Sequence, residues 1–331
     1  MTNKHTALRL VETRSLARDE WLEVRKKGIG SSDAAAAIGL SPYKSQLELW
    51  MEKTGRSPGF QPTGQDDPTY WGTLLEPYVA TTYTLRTGRK VRKVNAVLQH
   101  PTFSFMLANL DREVVGCADV QILECKTAGE FGSRLWRDGV PEYVQLQVQH
   151  QLAVTGKQAA DVAVLLCGQK LEIHRIDRDD EVISRLVLLE ADFWEHVVQD
   201  TAPKADGSES AGKALRGLYL GADTTVDFSE NRELSRDFAE LLTLRDELEE
   251  RESRMELLRQ SVQEAMGDAS RAVFHGGEVT FKRSKDGTSI DNKRLAADHP
   301  DIVAAYTVTR PGSRRFVVMG DVAQQPRDST C

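Results

Sequence analysis

Asp111 is followed thirteen residues later by the tripeptide Glu124-Cys125-Lys126. On a strand, side chains two apart project from one face, so Glu124 and Lys126 would set a carboxylate beside an ammonium. Asp111, arriving from the preceding strand pair, can meet that carboxylate. Two converging carboxylates with water make a hard oxygen site suited to Mg²⁺ or Mn²⁺, and a neighbouring lysine can orient the attacking water or help to deprotonate it. This is the chemistry of phosphodiester hydrolysis. Alone the pattern is weak, because aspartate is common at turns and Glu-x-Lys occurs on many solvent-facing strands. The apolar Val120, Ile122 and Leu123 around it argue against an exposed ion pair.

Three further features strengthen it. Glu76, at the start of a helix, can add a third carboxylate. The helix bearing Gln145, Gln147, Gln149 and Gln151 brings neutral hydrogen-bonding groups next in the chain. Finally, a cationic helix end at Arg25 runs into Gly28-Ile29-Gly30-Ser31-Ser32-Asp33, a glycine–serine turn opening a helix and suited to an anion. Each residue also has an ordinary reading: Glu76 as a carboxylate favoured by the helix dipole, Arg25 as a helix-end cation, Ser32 as an N-cap. Their combination and order favour a site. The seven histidines show no His-x3-His spacing, and Cys117, Cys125, Cys167 and Cys331 contain no Cys-x-x-Cys, which argues against histidine or thiolate metal chemistry. His150, inside the glutamine helix, is expected to be packing.

The chain that must position these groups has 331 residues, 40% of them hydrophobic and 28% charged, the profile of a globular protein of about two domains. No apolar run approaches the ~18 residues of a spanning helix, and the polar start, Met1 to Arg14, does not resemble a signal peptide. A cytoplasmic location and no membrane partner are therefore expected. A net charge of −7 argues against a polycation that coats nucleic acid, leaving room for an enzyme that meets phosphates in a local groove. Basic residues do cluster, at Arg25, Lys26 and Lys27 and at Arg86, Arg89, Lys90, Arg92 and Lys93.

Up to about residue 200 the pattern predicts one mixed α/β unit. Helices are expected at Leu16 to Lys27, Asp33 to Ile38 (capped by Ser31 or Ser32), Ser45 to Thr54, Leu74 to Thr87, Glu142 to Val154 and Asp180 to Val198. Strands are expected at Lys90 to Leu98, Phe103 to Leu107, Glu113 to Val115, Ala118 to Lys126, Asp161 to Cys167 and Lys170 to Ile176, with a loop at Gly59 to Pro68. Thr201 to Gly212, with Pro, Gly and Ser, reads as a linker. The accessory region 213–331 would hold one long acidic helix, Ser229 to Met266, with an apolar stripe at Leu234, Phe238, Leu241, Leu248, Met255, Val262 and Met266. A small α+β ending follows: strands near Ala272 to Arg283, a helix near Asn292 to Asp298 and a strand at Arg314 to Met319.

Taken in order, Trp21-x3-Arg25-x2-Gly28-Ile29-Gly30-Ser31-Ser32-Asp33, Gly72-x3-Glu76, Leu107-Ala108-Asn109-Leu110-Asp111, Leu123-Glu124-Cys125-Lys126-Thr127 and Gln147-x3-Gln151 resemble the YqaJ-type viral recombinase family. That family is lambda-exonuclease-like and part of the PD-(D/E)XK nuclease superfamily. The blocks span about residues 16 to 200; the motif's proline before the aspartate is Leu110 here. The resemblance implies a restriction-endonuclease-like core, a mixed central sheet flanked by helices. Asp111 and Glu124 would be metal ligands together with the Cys125 carbonyl, Lys126 would position the nucleophilic water, and Glu76 would bind a second metal or its waters. Gln147 would sit beside the scissile phosphate, and Arg25 and Ser32 would grip a 5′-phosphate. The implied activity is Mg²⁺-dependent 5′-to-3′ resection of double-stranded DNA ends for phage-type recombination by single-strand annealing, with Mn²⁺ able to substitute. The implied partners are DNA ends, further copies in a trimeric ring and a single-strand annealing protein, in a bacterial host with a phage or prophage origin. The alternatives are a structure-selective or restriction-like endonuclease on the same core and an inactive DNA-end-binding scaffold.

Overall fold

The structure, a computed structural model, describes residues 7–57, 68–309, 312 and 314–320. It divides into two compact units, Met1–Leu220 and Gly221–Cys331. The expected loop at Gly59 to Pro68 lies outside the described residues except for Pro68, and Cys331 lies outside them as well.

In the first unit the order is β1 (Leu8–Glu12), α1 (Arg18–Lys26), β2 (Ile29–Gly30), a 3₁₀ turn (Ser31–Asp33), α2 (Ala34–Ala37), α3 (Gln46–Lys53), α4 (Pro68–Thr87), β3 (Val91–Lys93), β4 (Ala96–Gln99), β5 (Met106–Ala108), β6 (Arg112–Val114), β7 (Ile122–Ala128), a 3₁₀ turn (Gly132–Trp136), α5 (Glu142–Thr155), β8 (Ala159–Leu166), β9 (Lys170–Asp177), α6 (Asp180–Val198) and α7 (Glu209–Leu218). This is the mixed α/β class expected. A five-stranded sheet runs β3-β6-β7-β8-β9, with β7 and β8 parallel and the other pairs antiparallel. A four-stranded sheet runs β1-β4-β5-β2, with β2 and β5 parallel.

The strand that carries the site is covered on both faces. Ile122 packs in a core with Val144, Val148 and Leu152 of α5, while Leu123 packs with Val79, Ala80 and Tyr83 of α4. The two-residue alternation of a strand therefore sends Glu124 and Lys126 toward the glutamine helix and Cys125 toward α4. Parallel pairing of β7 with β8 keeps this strand central, which explains its apolar start in place of a polar-apolar alternation.

Several expectations shift. The stretch Lys90 to Leu98 is two strands in different sheets, because the chain crosses between them at Val94 and Asn95, where Thr13 N donates to the Asn95 carbonyl at 3.1 Å. Neither Ser31 nor Ser32 caps a helix: Gly30 precedes a 3₁₀ turn, and α2 is four alanines. The N-terminal strand β1 has exposed, mixed side chains and offers no periodic signal.

The stretch read as a linker ends in a helix. Ser208 caps α7 by accepting from Ala211 N at 3.1 Å, and Ala211 and Ala214 are buried. Ser210 Oγ donates to the Glu48 carboxylate and lies 3.0 Å from Ser45 Oγ. Its small residues serve close helix packing against α3, and the first compact unit extends through Leu220 in place of ending at 200.

The second unit contains α8 (Arg232–Met266), the antiparallel hairpin β10 (Arg271–Phe274) and β11 (Gly277–Thr280), α9 (Asn292–Asp298) and α10 (Pro300–Tyr306). Within α8 only Leu242 is buried among the described residues, and Leu234, Phe238, Leu241, Leu248 and Met255 are exposed. Arg245 donates to the Gly320 carbonyl at 2.8 Å. The stretch Arg314 to Met319, expected as a strand, forms none: its residues find no ladder partner in the two-stranded sheet.

Candidate active site

Glu124 is the most heavily bonded side chain of the site. Its carboxylate, 3% exposed, accepts at Oε1 from Lys126 Nζ at 2.9 Å and Gln147 Nε2 at 2.6 Å, and at Oε2 from Gln151 Nε2 at 2.7 Å. Lys126 Nζ also donates to Gln147 Oε1 at 2.8 Å. A buried carboxylate is tolerable only when its oxygens are satisfied, and the glutamine helix satisfies them with neutral donors. Gln149, buried in the same helix, is satisfied elsewhere, donating to the Asp177 carbonyl at 2.8 Å and accepting from Asp179 N at 3.0 Å.

Asp111 stands between β5 and β6, and its Oδ2 accepts from the Cys125 main-chain N–H at 2.8 Å. Burial first, and then the negative charges of Glu124 and Glu76, push its carboxyl up to about 8, against the pull of Lys126 and the Cys125 N–H. Burial works against the Lys126 ammonium, but Glu124 and Asp111 outweigh it and hold the amine above its ordinary value. Lys126 is thus a charged donor that can orient water. The Cys125 thiol is pushed up by burial and then by Asp111 and Glu124.

The donor set fits a hard divalent ion: carboxylate oxygens from Asp111 and Glu124, with the carbonyl of Cys125 that the family resemblance adds, in a place where burial and then carboxylate repulsion raise Asp111. Asp111 and Glu124 would hold such an ion. When bound, it would polarise a phosphodiester and sharpen a water nucleophile. Glu76 does not join them as a third side chain. Arg112 takes its carboxylate in an ion pair and also donates to the Asp111 carbonyl at 2.6 Å. Among the described residues no group of three His, Cys, Asp or Glu side chains is placed to hold a metal.

The second half of the site comes from the N-terminal motif. Gly28 is required there: a Cβ would lie 2.5 Å from the Phe105 carbonyl oxygen and 2.8 Å from Leu107 Cγ. That close approach lets Ile29 N donate to Phe105 O at 2.6 Å and pairs β2 with β5. Arg25, at the end of α1, donates through Nη2 to Asp33 Oδ1 at 2.7 Å and lies 3.5 Å from Ser32 Oγ. Its guanidinium covers the Trp21 ring, 4.9 Å from the centroid.

All the residues singled out from the sequence, Arg25, Ser32, Glu76, Asp111, Glu124, Cys125, Lys126 and Gln147, line one cleft of about 470 Å³. The second basic cluster does not. Arg86 donates to the Leu171 carbonyl at 2.7 Å, Arg89 bridges Asp161 and Asp119, and Arg92 pairs with Glu113. His150 is fully buried: its Nε2 donates to the Leu107 carbonyl at 2.9 Å, and its Nδ1 meets Glu190 Oε1 at 2.7 Å. Sequence reasoning missed Arg112, Lys53 and the clamp of Gln151 on Glu124. Gln151 carried a signal in the Gln-x3-Gln spacing, and Arg112 one in its place beside Asp111, whereas Lys53 had none.

A family model described as the YqaJ-like viral recombinase domain matches residues 20–158, a span containing every residue that lines the cleft. The chain is 36% identical over 309 residues to the uncharacterized protein YqaJ of Bacillus subtilis (strain 168), covering 91% of this chain and 94% of that one. The chain belongs to the YqaJ-like viral recombinase family. Among solved structures, an alkaline exonuclease from Laribacter hongkongensis is 23% identical, covering 55% of this chain and 94% of its own, with a TM-score of 0.47. A phage-related exonuclease from Haemophilus somnus 129PT is 13% identical, covering 53% and 96%, with a TM-score of 0.41. No helix among the described residues is long and apolar enough to cross a membrane.

Proposed function

We propose that this family member is a Mg²⁺-dependent nuclease that degrades double-stranded DNA from its ends, 5′ to 3′, on a restriction-endonuclease-like core. The observation that carries the reading is the joining, in one cleft, of the Asp111, Glu124, Lys126 and Gln147 constellation with the Arg25 and Ser32 corner. Asp111 and Glu124 hold the divalent cation, with the Cys125 carbonyl. Lys126, kept cationic and fixed by Glu124 and Gln147, orients the attacking water. Gln147 lies beside the scissile phosphate. Glu76, held in an ion pair by Arg112, would act on a second metal or on waters around it rather than as a third ligand of the first. Arg25 and Ser32 receive the terminal 5′-phosphate, for which a guanidinium offers several charge-assisted donors.

In this reading the chain resects DNA ends in the bacterial cytoplasm for recombination by single-strand annealing, as a ring-forming homo-oligomer, in company with an annealing protein. The test is digestion of 5′-labelled and 3′-labelled linear duplex with Mg²⁺, beside a covalently closed circle. Early release of the 5′ label with the circle left intact is expected. Cutting of the circle would replace this reading with an endonuclease, and absence of cleavage with retained end binding would replace it with a scaffold.

A further inference from the structure

Arg25 is held on a buried carboxylate. Asp33 binds its guanidinium through Oδ1 at 2.7 Å, and the other oxygen of that carboxylate, Oδ2, accepts from Lys53 Nζ at 2.7 Å. Lys53 Nζ donates as well to the Arg25 main-chain carbonyl at 2.9 Å, so one ammonium steadies both ends of the arginine. The side chains of Asp33 and Lys53 are 3% exposed, while that of Arg25 is 30% exposed and lines the cleft. The neighbouring Lys26, paired with the exposed Glu23, has no such support.

We infer that Asp33 and Lys53 are positioning residues that fix the Arg25 guanidinium for a terminal phosphate, an inference that rests on the reading of Arg25 as phosphate-binding. A buried ion pair is a costly way to stabilise a fold, since an apolar pair of similar volume does as well or better. What it supplies here is geometry. The carboxylate takes one edge of the guanidinium and the Trp21 ring takes one face, leaving the remaining N–H donors to the cleft. The three groups together carry one net positive charge, so the pedestal orients the arginine without cancelling its attraction for an anion. Holding the side chain in advance removes the ordering cost of a flexible arginine at binding. The support continues outward: Lys53 ends α3, the helix that Ser45 caps and Ser210 of α7 braces.

The test digests the 5′-phosphorylated and 5′-hydroxyl forms of one linear duplex with the full chain and Mg²⁺, and reads the ratio of the two rates with its split into KM and kcat. The variants are Arg25→Ala, Lys53→Gln, and Asp33→Asn combined with Lys53→Gln, which removes both buried charges and keeps the local net charge. Wild type is expected to favour the phosphorylated end, and Arg25→Ala to lose that preference. The double variant is expected to lose about tenfold of it, through a raised KM for the phosphorylated end. Equal losses on both ends, or an unchanged ratio, would show a merely structural pair and overturn the inference while the reading of Arg25 stands. A wild type blind to the phosphate, or an Arg25→Ala variant with the wild-type ratio, would overturn that reading and the inference with it. Should the double variant fail to fold, Lys53→Gln and Asp33→Glu are judged by the same ratio.

Discussion

Gln147 stands between Lys126 and Glu124, accepting from the ammonium at 2.8 Å and donating to the carboxylate at 2.6 Å. One neutral side chain thereby closes a triangle with the two charged ones, which also meet directly at 2.9 Å. Its amide must keep its orientation, since reversing it would set carbonyl against carboxylate and NH₂ against ammonium.

Removing either carboxylate should therefore differ from removing the lysine. Asp111→Ala and Glu124→Ala are expected to abolish Mg²⁺-dependent turnover and to weaken metal binding measured by calorimetry. Lys126→Ala should slow cleavage by about 10²–10³-fold while DNA binding holds, the scale for losing one preorganised donor. A Lys126→Ala enzyme cleaving duplex at the wild-type rate would refute the assignment.

Gln151 makes a separable prediction. Its Nε2 is the donor to Glu124 Oε2, so Gln151→Leu leaves a buried carboxylate oxygen short of a partner. A loss of about 1–3 kcal/mol in unfolding free energy is expected by denaturant titration. Most of it should return in the Glu124→Gln, Gln151→Leu double variant, where the uncompensated charge is gone.

Asp33 gives the fold an acid dependence. Burial alone would raise its carboxyl, but Arg25 and Lys53 outweigh that and hold it well below the usual carboxylate range. The folded value lies below the unfolded value of about 3.9, so the contribution is complete above that value and lost as pH falls through the folded one. Asp33→Asn should cost about 3–5 kcal/mol at neutral pH, and the gap to wild type should narrow below about pH 4. Denaturant curves at stepped pH measure it.

His150 has the opposite sign. Burial opposes its charge, but Glu190 and the Leu107 carbonyl raise its value above the ordinary 6.5. Stability from this pair is complete below about 6.5 and is lost as pH rises through the folded value. Glu190→Gln should remove that alkaline loss, measured by the same curves from pH 6 upward.

The unit boundary predicts where the chain tolerates truncation. A chain ending at Leu220 keeps α7 against α3 and should fold and cleave short duplexes with Mg²⁺. One ending near Lys204 removes Ala211 and Ala214 from a buried contact and leaves the α3 surface bare. It should melt lower and aggregate on gel filtration.

What the sequence revealed depended on how local the signal was. Glu124 and Lys126 were legible because the strand period alone sets them on one face, and Gln147 and Gln151 because four residues are about one helical turn. Helix α6 was expected at Asp180 to Val198 and spans those residues, with Asp179 accepting from Glu181 N and Val182 N at its start. Helix α7 was not, because serine, glycine and alanine make both linkers and close helix contacts, and the partner that decides is α3, some 165 residues away. The arginines at 86, 89 and 92 showed only as a basic cluster for the same reason: their acceptors, Leu171, Asp161 and Glu113, come from distant strands. Lys53 carries its meaning entirely in a carboxylate twenty residues upstream.

The two-faced strand β7 also constrains how this gene can change length. Inserting or deleting one codon between Ile122 and Ala128 would turn the following side chains over, sending Glu124 or Lys126 into the tyrosine-backed core of α4 and an aliphatic residue among the glutamines. Neither face would accept the exchange. Length variation among relatives should therefore collect in the turns on either side of this strand, and a library of in-frame single-codon indels scored for cleavage should show a gap across these seven residues.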